Sequence, residues 1–222
     1  RLSVGIFFLM VRRPPRSTLA SSLSPCATLV RSLARSGPRH RAIELWREAG
    51  RRDKVGFNLR WLGRLHWYRG ESRLAVDFVD QAVAELETMD PGPELAMAYS
   101  ARSQLHMLND RLDEAISWGH RAIDLAEKLG EVETRIHALN NVGAATYLAA
   151  RPGGREFLEE SLNLALQHGF HEQAGRAYTN FSEAAIIFKE FELAERLLSE
   201  GLAFYARNDL AWSHQLIGRQ AQ

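Results

Sequence analysis

A chain of 222 residues that is 45% hydrophobic and 25% charged is long enough for one compact domain or one short array of repeats. Its single cysteine, Cys26, excludes an internal disulfide framework and any multi-cysteine metal site, and no run of about 18 apolar residues offers a membrane helix. The net charge of +1 hides an asymmetry: residues 1–41 carry eight arginines and no acid, while the rest holds 20 basic against 27 acidic side chains, so the body lacks the basic composition with which nucleic-acid binders displace counterions.

The chain opens at Arg1, and residues 4–11 read VGIFFLMV, followed by RRPPR. A secretory signal places its charge before the apolar run, the reverse of this order. Eight apolar residues are also too few to span a bilayer. Residues 6–19, IFFLMVRRPPRSTL, resemble the translated sequencing-adapter peptide found at the ends of metagenomic reading frames. Residues 1–26 therefore read as a non-native or disordered leader, and Cys26 as an inert thiol with no histidine arrangement to activate it.

From residue 39 onward one pattern recurs. His40 to Gly50 reads HRAIELWREAG and His120 to Gly130 reads HRAIDLAEKLG, with DQAVAELETMD (Asp80 to Asp90) midway between. ESLNLALQHG, ending at Gly169, and EGLAFYARND, ending at Asp209, complete the series. A small residue holds one point in every copy, Ala42, Ala82, Ala122, Ser161 and Gly201, at spacings of 40, 40, 39 and 40. A fixed period of this size predicts stacked supersecondary units.

Each period reads as two amphipathic helices. Leu59, Leu62, Leu65 and His66 recur at three- and four-residue steps, as do Leu74, Ala75, Phe78, Val79, Ala82, Val83 and Leu86. No stretch shows sustained two-residue alternation, so no sheet is predicted. Second helices are expected to end at Gly50, Asp90, Gly130, Gly169 and Asp209. The turns inside each pair are placed near Gly70, Asp110, Pro152-Gly153-Gly154 and Lys189. Pro91-Gly92-Pro93 stops one helix and starts the next. A second small-residue series, Gly63, Ser103, Gly143 and Ser182, marks the first helix of each pair and suits closely nested antiparallel hairpins.

These residues resemble the tetratricopeptide repeat family over roughly residues 39–210. The first-helix signature appears as Leu59, Leu62-Gly63; Tyr99, Arg102-Ser103; Leu139, Val142-Gly143; and Tyr178, Phe181-Ser182. The second-helix signature appears as Ala75, Val79, Ala82; Ala115, Gly119, Ala122; and Ala194, Leu198, Gly201. Arg102 and Gly119 depart from the pattern, the third unit lacks a clear first alanine, and the period exceeds the family's usual one. The resemblance implies an all-α fold: antiparallel helix hairpins stacked as a right-handed superhelical solenoid of about four full repeats. The units fall at about 39–50 (partial), 55–90, 94–130, 132–169 and 172–209, with 211–222 as the truncated start of a further helix.

NLRWLGRLHWYRGE, ELAMAYSARSQLHMLNDRLDEAISWGHRAIDLAEKLG and HALNNVGAATYL also resemble the helical-repeat region of large bacterial regulators. Those proteins join an AAA-like ATPase domain to such repeats and end in a LuxR-type helix-turn-helix or a cyclase. This resemblance implies a cytoplasmic interaction or ligand-sensing module cut from a larger regulator, contacting a protein or peptide partner or the regulator's own ATPase and output domains. Direct nucleic-acid or membrane binding is not expected. A stand-alone scaffold and the repeat region of a multidomain enzyme such as a nucleotide cyclase remain alternatives.

No motif carries catalysis, and no cofactor or metal is expected. Gly153-Gly154 lies in RPGGRE without the lysine and serine or threonine of a phosphate loop. His168 and His171 read as solvated rather than ligating, and Glu159-Glu160 as surface acids. His40 and His120 occupy one repeat position and read as framework. The tetratricopeptide resemblance places the first helices along a concave groove. Its groove positions fall on Phe57, Arg60, Arg64, Trp67 and Tyr68; Met97, Gln104 and Met107; His137, Asn140 and Tyr147; and Arg176, Thr179 and Glu183. Arginine, aromatics and methionine carry interface energy. Trp67 and Met107 read rather as packing against a neighbouring repeat. Arg60 and Arg64, one turn apart, could grip a carboxylate.

Overall fold

The computed structural model describes residues 36–208, which form nine helices and no strand among the described residues. They are α1 (Ser36–Glu48), α2 (Arg52–Tyr68), α3 (Ser72–Leu86), α4 (Pro93–Leu108), α5 (Leu112–Leu129), α6 (Val132–Leu148), α7 (Gly154–Gln167), α8 (His171–Ile187) and α9 (Phe191–Arg207). The leader, Cys26, the helix end at Asp209 and the further helix at 211–222 lie outside the described residues.

Four hairpins, α2–α3, α4–α5, α6–α7 and α8–α9, stack as a right-handed superhelical solenoid, with α1 as the second helix of a partial unit. Each first helix packs on its hairpin partner, on the second helix before it and on the first helices of adjacent units. The first helices α2, α4, α6 and α8 therefore line the inside, and the second helices form the outer layer.

One hydrogen-bond motif closes seven of the corners. The N–H groups of Arg51, Glu71, Arg111, Glu131, Arg151, Phe170 and Glu190 each donate to the carbonyl five residues earlier, at 2.8–3.0 Å. The residue before each donor is left-handed: Gly50, Gly70, Asp110, Gly130, Ala150, Gly169 and Lys189, with φ between 54° and 78°. This six-to-one bond satisfies a carbonyl that the helix end would leave orphaned. In the third hairpin the left-handed corner is Ala150, ahead of the predicted Pro152-Gly153-Gly154; Gly153 (φ 90°) then caps the start of α7. The missing residue of the 39-residue spacing falls just after this corner.

The α3–α4 junction is the exception. The expected helix end at Asp90 is corrected: α3 stops at Leu86, and Asp90 is not left-handed. Asp90 precedes Pro91, whose ring disfavours a helical residue before it. The linker reaches an extended Gly92 (φ −137°, ψ −179°), and Pro93 enters the first turn of α4, where a missing N–H costs nothing.

The small-residue series mark close crossings. Ala82, Ala122 and Ser161 are fully buried. A Cβ at Gly63 would stand 2.6 Å from Val79 Cγ2 and 2.9 Å from the Ala75 carbonyl. One at Gly143 would stand 2.8 Å from the Leu158 nitrogen. The serines of these series also bond within their hairpins: Ser103 Oγ donates to the Ala115 carbonyl (2.6 Å) and Ser161 Oγ to that of Ile136 (3.0 Å).

The departures from the repeat pattern have local causes. Gly119 faces Val142 and Ser103, where a Cβ would meet Ser103 Oγ at 2.9 Å. Arg102 lays its guanidinium 4.1 Å over Trp118 and pairs with Asp80 at 3.0 Å, so its stem covers apolar surface while its head stays charged. The absent first alanine of the third unit is Gly154, where a Cβ would run into the Tyr147 backbone, 2.7 Å from its Cα. His40 and His120 rest edge-on against Phe78 and Phe157, each pair 5.8 Å apart.

Candidate functional site: the inner face of the superhelix

Side chains at three- and four-residue steps on α2, α4, α6 and α8 share one helical face, and stacking places these faces side by side. A polar network runs across them. On α8, Arg176 donates to Gln173 Oε1 (2.8 Å) on its own helix and to Asn141 Oδ1 (3.0 Å) on α6. Asn141 Nδ2 in turn donates to the Ser100 carbonyl on α4 (3.0 Å) and lies 3.3 Å from His137 Nδ1. Ser100 Oγ stands 2.7 Å from the same histidine nitrogen. Asn180 on α8 donates to Asn140 Oδ1 on α6, and Gln173 Nε2 to Glu133 Oε1 on α6 (3.3 Å).

The superhelix also closes across its inside. Arg64 on α2 donates to Glu172 Oε1 on α8 at 2.6 Å, and its Nε reaches Tyr68 Oη at 3.1 Å. The first and fourth units thus touch, although two hairpins separate them in sequence.

This closure concentrates positive charge. His137 is only 6% exposed, and burial together with the fields of Arg176, Arg64 and Arg60 holds it well below the usual histidine range. It is therefore neutral at pH 7. With Nδ1 facing the donors of Ser100 and Asn141, its proton sits on Nε2. Burial pulls Arg176 down to about 10, with Arg64 adding to the shift. Arg60 also falls to about 10 through burial, with Glu94 opposing and Arg64 and Arg39 reinforcing. Both guanidiniums remain charged at neutral pH.

The structure gathers Arg60, Arg64, Tyr68, His137 and Arg176 on this face, with Asn140 buried beside them at the α6–α8 contact. Other predicted groove residues pack within or between units. Trp67 lies against Ala75, Val79 and Leu105, and Met107 is buried with Ile136 and Ala144. Tyr147 stacks on Phe188 (5.3 Å) and meets Phe181 edge-on. Thr179 is 3% exposed and donates to the Gly175 carbonyl inside its own helix. Phe57, Met97, Gln104 and Glu183 are half-buried. Met107, Ala144, Asn180 and Glu183 border a cavity of about 30 Å³, room for a single water.

Sequence reasoning missed Trp61, Asn141, Asn180 and Glu172. The first three hold one position of the repeat, one step after the Arg60–Asn140–Thr179 series, so the 40-residue spacing could have found them. Trp61 is stacked upon by Arg39, Arg60 and Arg64, at 5.2, 5.6 and 5.2 Å. Nothing local marks Glu172, because its role depends on superhelical curvature.

Among the described residues no group of three or more histidine, cysteine, aspartate or glutamate side chains could hold a metal ion. His168 and His171 instead lie against Phe170 and Phe204. No helix of the described residues is long and apolar enough to cross a membrane.

The fold recurs in solved structures. The fold is a tetratricopeptide-like repeat solenoid. A Rap protein complexed with competence and sporulation factor superposes with a TM-score of 0.66 at 14% identity, covering 96% of this chain and 61% of that one. PlcR from Bacillus thuringiensis, in complex with the peptide PapR7 and DNA, gives 0.63 at 13% identity, over 86% and 72%. A signal transduction ATPase with numerous domains and a tetratricopeptide repeat sensor, from Pyrococcus horikoshii, gives 0.60 at 14% identity, over 86% and 31%. The chain thus spans less than two thirds of the Rap chain and about a third of the ATPase. No family model and no curated protein matches the sequence.

Proposed function

We propose that this chain is an interaction module that takes a protein or peptide partner on its inner face, and that it serves as the sensor arm of a larger bacterial signalling regulator. The observation that carries the reading is the convergence of Arg60, Trp61, Arg64, Tyr68 and Arg176 on one concave face. Partly buried arginine and aromatic side chains are the residue types that dominate binding energy. The packed inner and outer helices hold them in place, so little ordering cost remains for association. The likeness to Rap and PlcR, both solved with a bound peptide or factor, and to an ATPase carrying a repeat sensor supports the same reading.

Selection of a displayed random dodecapeptide library tests the groove. Binders enriched on the wild type are expected to lose affinity for Trp61→Ala and to keep it for Asp124→Ala, on the exposed outer face of α5. Binders indifferent to Trp61→Ala would place recognition elsewhere. A long sequencing read through both flanks of the gene tests the regulator assignment. It is expected to show an ATPase domain upstream and an output domain downstream. A frame made only of repeats would make the protein an adaptor.

A further inference from the structure

The inner face carries buried hydrogen-bond donors that no acceptor meets. Arg39, Arg60, Arg64 and Arg176 meet there, yet among the described residues only Arg64 has a carboxylate in ion-pair contact, Glu172. Arg176 donates to two neutral amides. Arg39 donates to the neutral Asn58 amide. Arg60 lies over Phe57 and Trp61 with no hydrogen bond or ion pair among the described residues. Arg60 Nε, Trp61 Nε1 and Asn140 Nδ2 are all buried and meet no acceptor. Each buried donor without an acceptor carries the full desolvation penalty of that group, and a face that collects them is built for an acceptor-rich occupant. Apolar surface adjoins them: the half-buried ring of Phe57 lies 5.4 Å from the Arg60 guanidinium.

Glu172 differs from the other acids of this face. Glu94 and Glu133 act on Arg60 only at a distance, whereas Glu172 crosses from α8 to bond Arg64 on α2. Its side chain is 60% exposed, so the pair sits at the mouth of the face, where solvent or a ligand can reach it.

We propose that the inner face takes an acidic peptide segment with interspersed apolar residues, and that Glu172 stands in for one of its carboxylates on Arg64 until the segment displaces it. Displacement frees the Arg64 guanidinium, and the peptide's carboxylates and carbonyls then reach the orphan donors beside it. Glu172 is thus an internal competitor that lowers resting affinity and raises selectivity for ligands carrying negative charge. This inference rests on the groove reading above and adds the ligand's chemistry and its gate.

The test is a fluorescence-anisotropy titration at low ionic strength with a labelled decapeptide of alternating glutamate and leucine. Its glutamine–leucine counterpart and a ten-nucleotide oligothymidylate serve as comparisons. The acidic peptide is expected to bind the wild type about tenfold or more tighter than the glutamine peptide. Glu172→Gln is expected to tighten the acidic peptide about three- to tenfold, because the competitor loses its charge. Arg60→Gln is expected to weaken it by about fivefold or more while breaking no hydrogen bond or ion pair among the described residues. Circular dichroism of each variant confirms folding. Equal binding of acidic and glutamine peptides, both sensitive to Trp61→Ala, would overturn the acidic assignment and leave the groove reading standing. Acidic-peptide binding insensitive to Arg60→Gln, Glu172→Gln and Trp61→Ala would sink both. Binding of neither peptide, or oligothymidylate binding as tight as the acidic peptide, would also overturn the proposal.

Discussion

Arg64 on α2 and Glu172 on α8 lie 108 positions apart and share a hydrogen-bonded ion pair of 2.6 Å. The contact records how far the superhelix turns in four units. Each hairpin adds a small rotation fixed by its small-residue crossings, and the sum brings the first inner helix within side-chain reach of the last. The closure adds the field of Arg64 to the environment of His137 and Arg176, which the packing of neighbouring first helices already buries.

Replacing Gly154 with alanine is expected to destabilise the array, although Ala75, Ala115 and Ala194 hold the equivalent point in the other units. The new Cβ would stand 2.7 Å from Tyr147 Cα and 2.9 Å from its Cβ, and backbone cannot yield as a flexible side chain can. A loss of about 1–3 kcal/mol in urea unfolding is expected. A rise in midpoint would show that the α6–α7 crossing is looser than described.

Ala150→Gly should do the opposite. Ala150 holds the corner at φ 54°, where its counterpart in the first hairpin is Gly70. The left-handed conformation costs a residue with a Cβ roughly 1–2 kcal/mol, and glycine's greater freedom in the unfolded chain returns about 0.4–1 kcal/mol of that. A net gain of about 0.5–1 kcal/mol is expected in the same assay. An unchanged or lower midpoint would contradict the strain assigned to this corner.

Stability should fall with acid through His137. Burial and the neighbouring arginines hold its folded pKa well below the ordinary value, so below about pH 6.5 the unfolded chain takes up a proton that the folded chain refuses. The contribution is fully present above that pH and is lost as pH falls, at up to about 1.4 kcal/mol per pH unit. His106 is also held low, first by burial and then by Arg111 and Arg102, so the difference between wild type and His137→Gln is the informative quantity. Unfolding free energies at pH 7.5, 6.5 and 5.5 should converge for the two proteins toward acid. Parallel curves would mean that His137 titrates normally.

Much of this architecture is legible in the sequence, because each repeat is a local structure. Ala82, Ala122 and Ser161 announce the crossings, and Gly50, Gly130 and Gly169 announce corners, since each answers to neighbours in its own or an adjoining helix. Asp90 misleads because the following proline overrides the repeat. Ala150 hides because nothing in its side chain advertises a left-handed turn. On the inner face, Arg60, Arg64 and Arg176 are readable from the repeat register. The network through Asn141 and the closure by Glu172 are not, because they depend on rotations summed over several helices rather than on any spacing along the chain.

The closure itself is the claim most open to direct measurement. A double-mutant cycle of Arg64→Ala and Glu172→Ala, read by urea unfolding, isolates the energy of this one contact. The account predicts a favourable coupling of about 0.5–1 kcal/mol that shrinks in high salt, modest because Glu172 is largely exposed. Strict additivity of the two substitutions at low salt would mean that the first and fourth units do not meet in solution, and the inner face would then be an open groove rather than a closed one.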